Sequence, residues 1–279
     1  MGHVEEPVMD QENVKIRALN VKKRFASTPF TAGVTALQDI SLEVHEGEFA
    51  ALIGPSGCGK STFLYIVAGF EKATAGEVQI SGHTVTKPGP DRGIVFQEYV
   101  LFPWLNVEQN ITFGLEIQNA SKAQCKGRCR ELLEITGLSG FENNYPHTLS
   151  GGMQQRVAIA RALAYDPEVL LMDEPFGALD AQTKRRMIAD FVRIWESMNK
   201  TVLFVTHSVE EALMLADTIF LFSFRPSHIK GVFRIELPRP RDVAHPKFVQ
   251  IQKEIMYSLD EEVEKMMRLE LKGDEAKQK

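Results

Sequence analysis

A buried strand, a glycine-rich loop and a helix follow one another in the segment FAALIGPSGCGKSTFLYIVAGF, which begins at Phe49. The loop fits the pattern G-x-x-x-x-G-K-[ST], in which glycines let successive backbone N–H groups face a phosphate. Lys60 adds a positive charge for β- and γ-phosphates, and the Ser61 hydroxyl suits Mg²⁺. The sequence therefore predicts a nucleotide cradle. Its residues are Gly54, Pro55, Ser56, Gly57, Cys58, Gly59, Lys60, Ser61 and Thr62.

Strands and helices alternate along the rest of the chain, which favours an α/β fold. The segments VLLMD and TVLFV are apolar on both faces, as expected for buried strands of a mostly parallel sheet. The alternating polarity of VKIRALNVKKRF and SLEVHEGEF predicts strands, which we assign to an antiparallel β region. Segments with helical spacing lie between 98 and 165 and predict an inserted helical subdomain.

Three regions are predicted along the chain. Residues 1–14 are expected to form a disordered leader, and the first dozen residues, which are acidic and lack an apolar core, show no secretory signal. Residues 15–240 hold the predicted α/β domain with its helical insertion. Residues 241–279 are expected to form a helical extension. Its apolar stripe, expected to pack on the same core or on a partner helix, consists of Phe248, Ile251, Ile255, Leu259, Val263 and Met266.

Polar side chains follow three of the predicted buried strands at the point where each strand ends. Asp173 is placed to reach Mg²⁺, and the adjacent Glu174 is the expected general base for an attacking water. His207 either contacts a γ-phosphate and orients the water or merely caps the next helix. Gln97, expected at the end of a buried strand, has an amide for Mg²⁺ or water. Together with the loop, these residues indicate nucleotide hydrolysis.

Composition excludes several functions. The formal charge of −5 disfavours a nucleic-acid partner, and no run of 18 apolar residues is present to span a membrane. Cys58, Cys125 and Cys129 are expected to be free thiols. Val202 stands where an Asn-Lys-x-Asp guanine-recognition stretch needs Asp, so GTP is disfavoured. Phe25 either stacks on adenine or belongs to the core.

The segment LSGGMQQR predicts a second anion site. Ser150, Gly151 and Gly152 open a helix, and the free N–H groups at a helix start favour an anion. The chain thus carries two predicted cradles for phosphate, far apart in sequence.

The motif set resembles that of ABC transporter ATPases over about residues 15–240. GPSGCGKS resembles the Walker A motif, VLLMDEP the Walker B motif, LSGGMQQR the signature motif, GALD the D-loop with Asp180, and His207 the switch histidine. Wider stretches, such as DEPFGALDAQTK, are similar to importer ATPases of the nitrate, sulfonate and taurine type. The resemblance implies a P-loop NTPase core and hydrolysis of ATP with Mg²⁺.

The resemblance also implies partners. Two ATPase subunits of this family pack head to tail, so the Ser150–Gly152 segment would bind ATP held by a second chain, most simply in a homodimer. A separate membrane permease would dock on EYVLFPWLNV, which includes Trp104, at the cytoplasmic face of the inner membrane. An extracytoplasmic solute-binding protein would act indirectly. The alternatives are a soluble, non-transport ABC ATPase and, third, an exporter ATPase.

Overall fold

The computed structural model describes residues 13–27 and 33–277, with side chains described up to residue 269. The described chain contains ten β-strands. They are β1 (Val14–Phe25), β2 (Val34–His45), β3 (Phe49–Ile53), β4 (Ala75–Ile80), β5 (His83–Thr84), β6 (Arg92–Val95), β7 (Val169–Asp173), β8 (Thr201–Val205), β9 (Thr218–Phe222) and β10 (Ile229–Arg234).

Seven α-helices complete the described chain. They are α1 (Lys60–Ala68), α2 (Val107–Ile117), α3 (Lys122–Ile135), α4 (Gly151–Leu163), α5 (Ala181–Met198), α6 (Val209–Leu215) and α7 (Pro246–Lys277). A short 3₁₀ helix, Pro146–Thr148, precedes α4. Within the described residues, none of these helices has both the length and the apolar character needed to cross a bilayer.

The strands form two sheets. The central six-stranded sheet has the order β10-β9-β3-β8-β7-β6, and only β10 runs antiparallel to its neighbour. The second sheet is antiparallel, with the order β2-β1-β4-β5. The predicted fold class, an α/β P-loop core with a mostly parallel sheet, an antiparallel β region and helices inserted between β6 and β7, is confirmed.

Alternate residues of β3 point to opposite faces of the central sheet, because side chains along a strand alternate. Phe49 and Ala51 pack with the buried residues of α4, α5 and α6. Ala50 and Leu52 pack with α1 and with the antiparallel sheet. Both faces are thus covered, which explains why β3, β7 and β8 read as continuous apolar runs. The central strands consequently end at fixed positions along one edge.

Two boundaries differ from the sequence-based expectation. The strand expected to end at Gln97 ends at Val95, because β6 is an edge strand and pairs only with β7. β1 begins at Val14, the last residue assigned to the leader; the rest of the predicted leader up to residue 12 lies outside the described residues. In the segment 98–165, the structure places α2, α3 and α4.

The C-terminal helix α7 lies against the central domain. Phe248 and Ile255 are fully buried in the same hydrophobic cluster as the central sheet, and Ile251 and Leu259 pack beside them. Burying each large side chain stabilises the fold by about 1.5–3 kcal/mol. Four of the six residues in the expected apolar stripe therefore pack on the core of their own chain, whereas Val263 and Met266 are half-buried outside that cluster.

Candidate nucleotide site

The loop between β3 and α1 depends on glycines at two points of close approach. Gly54 and Gly59 have φ angles of +156° and +110°. A Cβ on Gly54 would lie 2.8 Å from the carbonyl oxygen of Phe222, and one on Gly59 would lie 2.8 Å from the Leu37 side chain. The loop is therefore wrapped tightly, in the form that turns backbone N–H groups toward an anion.

Lys60 fixes a positive charge on this loop. Its side chain is almost fully buried, and its Nζ donates hydrogen bonds to the carbonyl oxygens of Gly54 (2.8 Å) and Pro55 (3.0 Å). The Cys58 Sγ lies 3.8 Å from the same Nζ, and burial raises the pKa of this thiol. Cys58 thus packs behind the loop as a protonated thiol.

A cavity of about 460 Å³ lies in front of the loop. Of the predicted cradle residues, those that line it are Ser56, Gly57, Gly59, Lys60, Ser61 and Thr62. Gly54, Pro55 and Cys58 shape the loop without lining the cavity. Phe25 also lines it and is 42% exposed, with the Lys23 Nζ 4.9 Å from its ring centroid. Phe25 is therefore accessible to a base and is not a core residue.

Two oxygen-bearing side chains meet at the edge of the cavity. The Ser61 hydroxyl donates a hydrogen bond of 2.8 Å to Oδ1 of Asp173, which is almost fully buried at the end of β7. Burial, together with the hydrogen bond to Asp173 and its charge, raises the pKa of Tyr65 to about 12, so this phenol stays protonated. A hydroxyl and a carboxylate are ligands that Mg²⁺ prefers, and Mg²⁺ commonly takes only one or two protein carboxylates. The donor set therefore fits Mg²⁺.

Glu174 and His207 meet beside this cavity. The His207 Nδ1 lies 2.9 Å from Oε2 of Glu174, a cavity-lining residue. Glu174 has a φ of +44°, in the left-handed region that a non-glycine residue rarely occupies. Its backbone N–H donates to the Val205 carbonyl, which holds this conformation. The strained backbone directs the Glu174 side chain toward the cavity and His207.

The residues around His207 show whether it caps the following helix, α6. Ser208, not His207, is the N-cap of α6 and accepts a hydrogen bond from the Glu211 backbone N–H. The alternative in which His207 merely caps this helix is therefore wrong. Buried Thr206 donates to the Glu211 carboxylate, which also pairs with Lys184 on α5. This network fixes the backbone on both sides of His207.

Gln97 lies two residues beyond the end of β6 and is not among the described residues that line the cavity. A Cβ on Gly177 would lie 3.7 Å from the Gln97 Nε2. The Gly177 N–H donates to the Glu174 carbonyl. Gln97 is thus next to the turn that follows Glu174, and its role toward Mg²⁺ or water remains a prediction.

The second predicted cradle forms a separate surface. Ser150 is the N-cap of α4, and its side chain accepts a hydrogen bond from the Met153 N–H. Ser150 and Gly152 line a cavity of about 610 Å³ that has no lining residue in common with the first cavity. Gly151 lies beside Tyr99, since a Cβ there would approach the Tyr99 hydroxyl to 2.8 Å. One chain therefore presents two distinct candidate phosphate sites.

Asp180 lies close to the second cradle. It caps α5 by accepting hydrogen bonds from the backbone N–H groups of Gln182 and Thr183. The hydrogen bonds with Thr183 lower the pKa of Asp180. Thr183 itself lines the second cavity. The Asp180 cap therefore connects the turn after Glu174 with the wall of that cavity.

Comparison with known proteins identifies the family to which this set of motifs belongs. The family model described as ABC transporter matches residues 37–177, from β2 through the end of β7 and past Glu174. The chain belongs to the ABC transporter family. It is an ATPase of that family.

Known proteins similar to this ABC ATPase align with most of its length. An uncharacterized ABC transporter ATP-binding protein of Methanocaldococcus jannaschii is 47% identical over 260 residues, which are 93% of this chain and 96% of the relative. The nitrate import ATP-binding protein of a Synechocystis strain is 44% identical over 84% of this chain and 89% of its own. A solved dimeric ATP-binding cassette, in a post-hydrolysis state with ADP and Pi, superposes with a TM-score of 0.68 at 32% identity. That alignment covers 80% of this chain and 100% of the other.

One residue at this ATPase site, Arg225, belongs to no recognised sequence motif. Arg225, in the segment 223–228 between β9 and β10, lines the first cavity together with Phe25 and Lys60. Arg225 follows no phosphate-binding pattern and lies far along the chain from the loop. The pairing of this segment with β2 brings Arg225 to the cavity.

Proposed function

We propose that this chain is the ATP-hydrolysing subunit of an importer that docks on a separate membrane permease. The observation that carries the proposal is a surface group of three aromatic side chains, Phe102, Trp104 and Phe113, here called the aromatic patch, in which Trp104 and Phe113 are exposed and Phe102 is half-buried. Trp104 is 70% exposed, and the Phe102 ring centroid lies 4.6 Å from that of Phe113. Exposed aromatic clusters of this kind are typical of protein–protein contacts.

The hydrolysis itself is assigned to residues around the first cavity. Lys60 and the loop N–H groups hold the phosphates, while Ser61, Asp173 and Gln97 would hold Mg²⁺. When bound, Mg²⁺ neutralises charge that develops on the phosphate oxygens. Glu174 accepts a proton from water as the water oxygen bonds to the γ-phosphorus and the bond to ADP breaks. His207 hydrogen-bonds the Glu174 carboxylate, and we assign to it a contact with the γ-phosphate.

The second cavity is assigned to the nucleotide of a second copy. Ser150, Gly151 and Gly152 would contact the γ-phosphate held by the partner's loop, so two chains complete two sites. A helix start with a serine hydroxyl, whose hydrogen can be donated, and glycine N–H groups suits this anion. This assignment explains why one chain carries two cradles that share no lining residue.

The aromatic patch is connected to this second cradle. Arg161, on α4, donates a hydrogen bond of 2.8 Å to the Val100 carbonyl, and its guanidinium lies 5.4 Å from the Phe102 ring centroid. Ser150 caps the opposite end of the same helix. A partner bound at the patch would therefore act directly on the helix that carries the signature residues, which supports coupling between docking and hydrolysis.

The finer description of the importer rests on relatives. Proteins 42–44% identical to this chain are named for the import of nitrate, aliphatic sulfonates and taurine. We infer a small solute of this kind, delivered by an extracytoplasmic binding protein. Docking on the permease would place the chain as a peripheral subunit at the cytoplasmic face of the inner membrane.

Replacing Trp104 by alanine is expected to leave basal ATP hydrolysis of the isolated chain unchanged, because this side chain lies outside the cavity. Stimulation by the permease should fall about tenfold or more, since a central aromatic anchor commonly contributes 2 kcal/mol or more to an interface. ATPase activity is measured with and without a polytopic membrane protein that copurifies with this chain, reconstituted together in vesicles.

Tyr257→Ala is the matched control, since Tyr257 is 71% exposed but lies on α7. Equal stimulation of Trp104→Ala and Tyr257→Ala would show that the aromatic patch is not the docking surface. Failure of the unmodified chain to associate with the permease would instead favour the soluble, non-transport ABC ATPase.

A further inference from the structure

Arg225 is a second cation at the candidate nucleotide cavity. Among the described residues that line it, Lys60 and Arg225 are the only positively charged side chains. The mechanism above uses Lys60 alone. A guanidinium has five N–H donors in a planar fork and binds phosphate oxygens well, so its position on the wall of a nucleotide cavity is chemically significant.

The segment that carries Arg225 is fixed to the cavity wall by backbone hydrogen bonds. The Ser227 N–H donates to the Ala36 carbonyl (3.0 Å), and the Gln38 N–H donates to the Ser227 carbonyl (2.7 Å). Ala36 lines the cavity, and its carbonyl lies close to Gly59 of the phosphate loop. The segment is thus held next to the part of the cavity wall that adjoins the phosphate loop.

The C-terminal helix holds the same segment from its other side. The Phe224 N–H donates a hydrogen bond of 2.9 Å to Oε2 of Glu262 on α7, and Glu262 is only 2% exposed. The other carboxylate oxygen, Oε1, pairs with Lys230 (3.0 Å) and Lys265 (2.6 Å). The Arg225 guanidinium lies 5.5 Å from the Phe224 ring centroid. Glu262 therefore fixes Phe224, and the Arg225 guanidinium packs near the Phe224 ring.

Glu262 remains ionised in this position. Burial opposes ionisation, but the hydrogen bonds from Lys265, the Phe224 N–H and Lys230 lower the pKa of its carboxyl to about 2. A buried carboxylate with all its contacts satisfied is a rigid support, since moving it would leave a charge without partners. The position of Phe224 is consequently fixed with respect to α7.

We propose that Arg225 binds the phosphate chain of the nucleotide and that Glu262, on α7, is the positioning residue that holds it there. This inference rests on the proposed ATP site and extends it to the C-terminal helix. A charged hydrogen bond to phosphate is among the stronger polar contacts in proteins, so its loss should weaken binding measurably. The C-terminal helix then contributes to nucleotide affinity as well as to the core.

The test is the Kd of the full chain for ADP with Mg²⁺, measured by isothermal titration calorimetry. Arg225→Gln is expected to raise this Kd about tenfold, by losing the charged contact. Glu262→Gln should raise it about threefold or more. Arg225→Gln combined with Glu262→Gln should bind no more weakly than Arg225→Gln alone, because Glu262 acts only through Arg225.

Glu261→Gln is the matched control, since Glu261 pairs with Lys230 whereas the Phe224 N–H donates to Glu262. The Kd of this variant should be that of the unmodified chain. Thermal melting is recorded for each variant. If Glu262→Gln does not fold, Glu262→Asp keeps the charge, withdraws the carboxylate from Phe224 and takes its place. Arg225 is exposed, so Arg225→Gln is expected to fold.

An unchanged Kd for Arg225→Gln would overturn the proposal. Equal weakening by Glu262→Gln with and without Arg225 would show that Glu262 supports the fold alone, which also contradicts it. If the unmodified chain binds ADP and Lys60→Ala loses that binding, the nucleotide site stands even where Arg225 fails. A chain that binds no ADP at all would overturn both.

Discussion

Lys60→Ala is expected to reduce ATP turnover on the order of 10²- to 10³-fold and to weaken nucleotide binding. The side chain is almost fully buried, and its Nζ places a positive charge at the loop through bonds to Gly54 and Pro55. Removing one positioned donor to a reacting oxyanion typically has this cost. Phosphate release under saturating ATP measures turnover, and calorimetry with ADP measures binding.

The control for this variant is Lys72→Ala, which removes an exposed lysine outside the cavity. It should behave as the unmodified chain in both assays. Full turnover by Lys60→Ala would show that the loop does not hold the phosphates during hydrolysis, and the assignment of the first cavity would then fail.

Glu174→Gln is expected to separate nucleotide binding from hydrolysis. Gln is nearly isosteric with Glu and can still hydrogen-bond His207, so the shape of the site is retained. It cannot accept the proton of the attacking water, and losing a general base should slow turnover on the order of 10²- to 10⁴-fold. ATP should still bind, because Lys60, Ser61 and Asp173 are unchanged.

Single-turnover hydrolysis and ATP binding are measured on the same preparation of Glu174→Gln. Glu196→Gln, which removes an exposed carboxylate from α5, is the control and should hydrolyse ATP normally. A normal single-turnover rate in Glu174→Gln would assign the base elsewhere, and a loss of ATP binding would assign Glu174 to binding.

The sequence predicted much of this site because its polar residues follow buried strands. Parallel strands present their carboxyl ends at one edge of a sheet, so Asp173, Glu174 and His207 were expected to lie near the loop that follows β3. The structure places Asp173 against Ser61 and Glu174 against His207. Buried apolar runs indicate central parallel strands, whose carboxyl ends share one edge. The distances themselves depend on the order of the strands in the sheet, which the structure supplies.

Other parts of the site follow from contacts that no local pattern records. Arg225 reaches the cavity because Ser227 pairs with Leu37 of β2, across most of the chain. Its support by Glu262 depends on where α7 crosses the segment 223–228. A glutamate in a long helix is ordinarily expected to be exposed to solvent. Nothing in the local sequence therefore predicts that Glu262 is buried.

The difference at Gln97 has a similar origin. The apolar run RGIVF suggested a strand reaching Gln97, but an edge strand has a neighbour on one side only, and β6 leaves the sheet after Val95. Gln97 therefore lies on the connection to the aromatic patch, beside Gly177, rather than on the strand itself. Its side chain lies next to the turn that follows Glu174.

Each chain is proposed to supply half of two ATP sites, and the mass of Glu174→Gln in solution tests this most directly. Slow hydrolysis should leave ATP between the loop of one chain and the Ser150–Gly152 segment of the other. The lost negative charge also removes repulsion with the γ-phosphate, which favours closure. Ser150→Arg, added to Glu174→Gln, should block the second cradle by its bulk, whereas Ser139→Arg, at an exposed serine, should not.

Size-exclusion chromatography with light scattering is run on Glu174→Gln with and without saturating ATP and Mg²⁺. We predict a monomer without ATP and a dimer with it, lost in the variant that also carries Ser150→Arg and retained in the one that carries Ser139→Arg. A Glu174→Gln chain that stays monomeric while ATP is bound, or a dimer that survives Ser150→Arg, would contradict the shared sites.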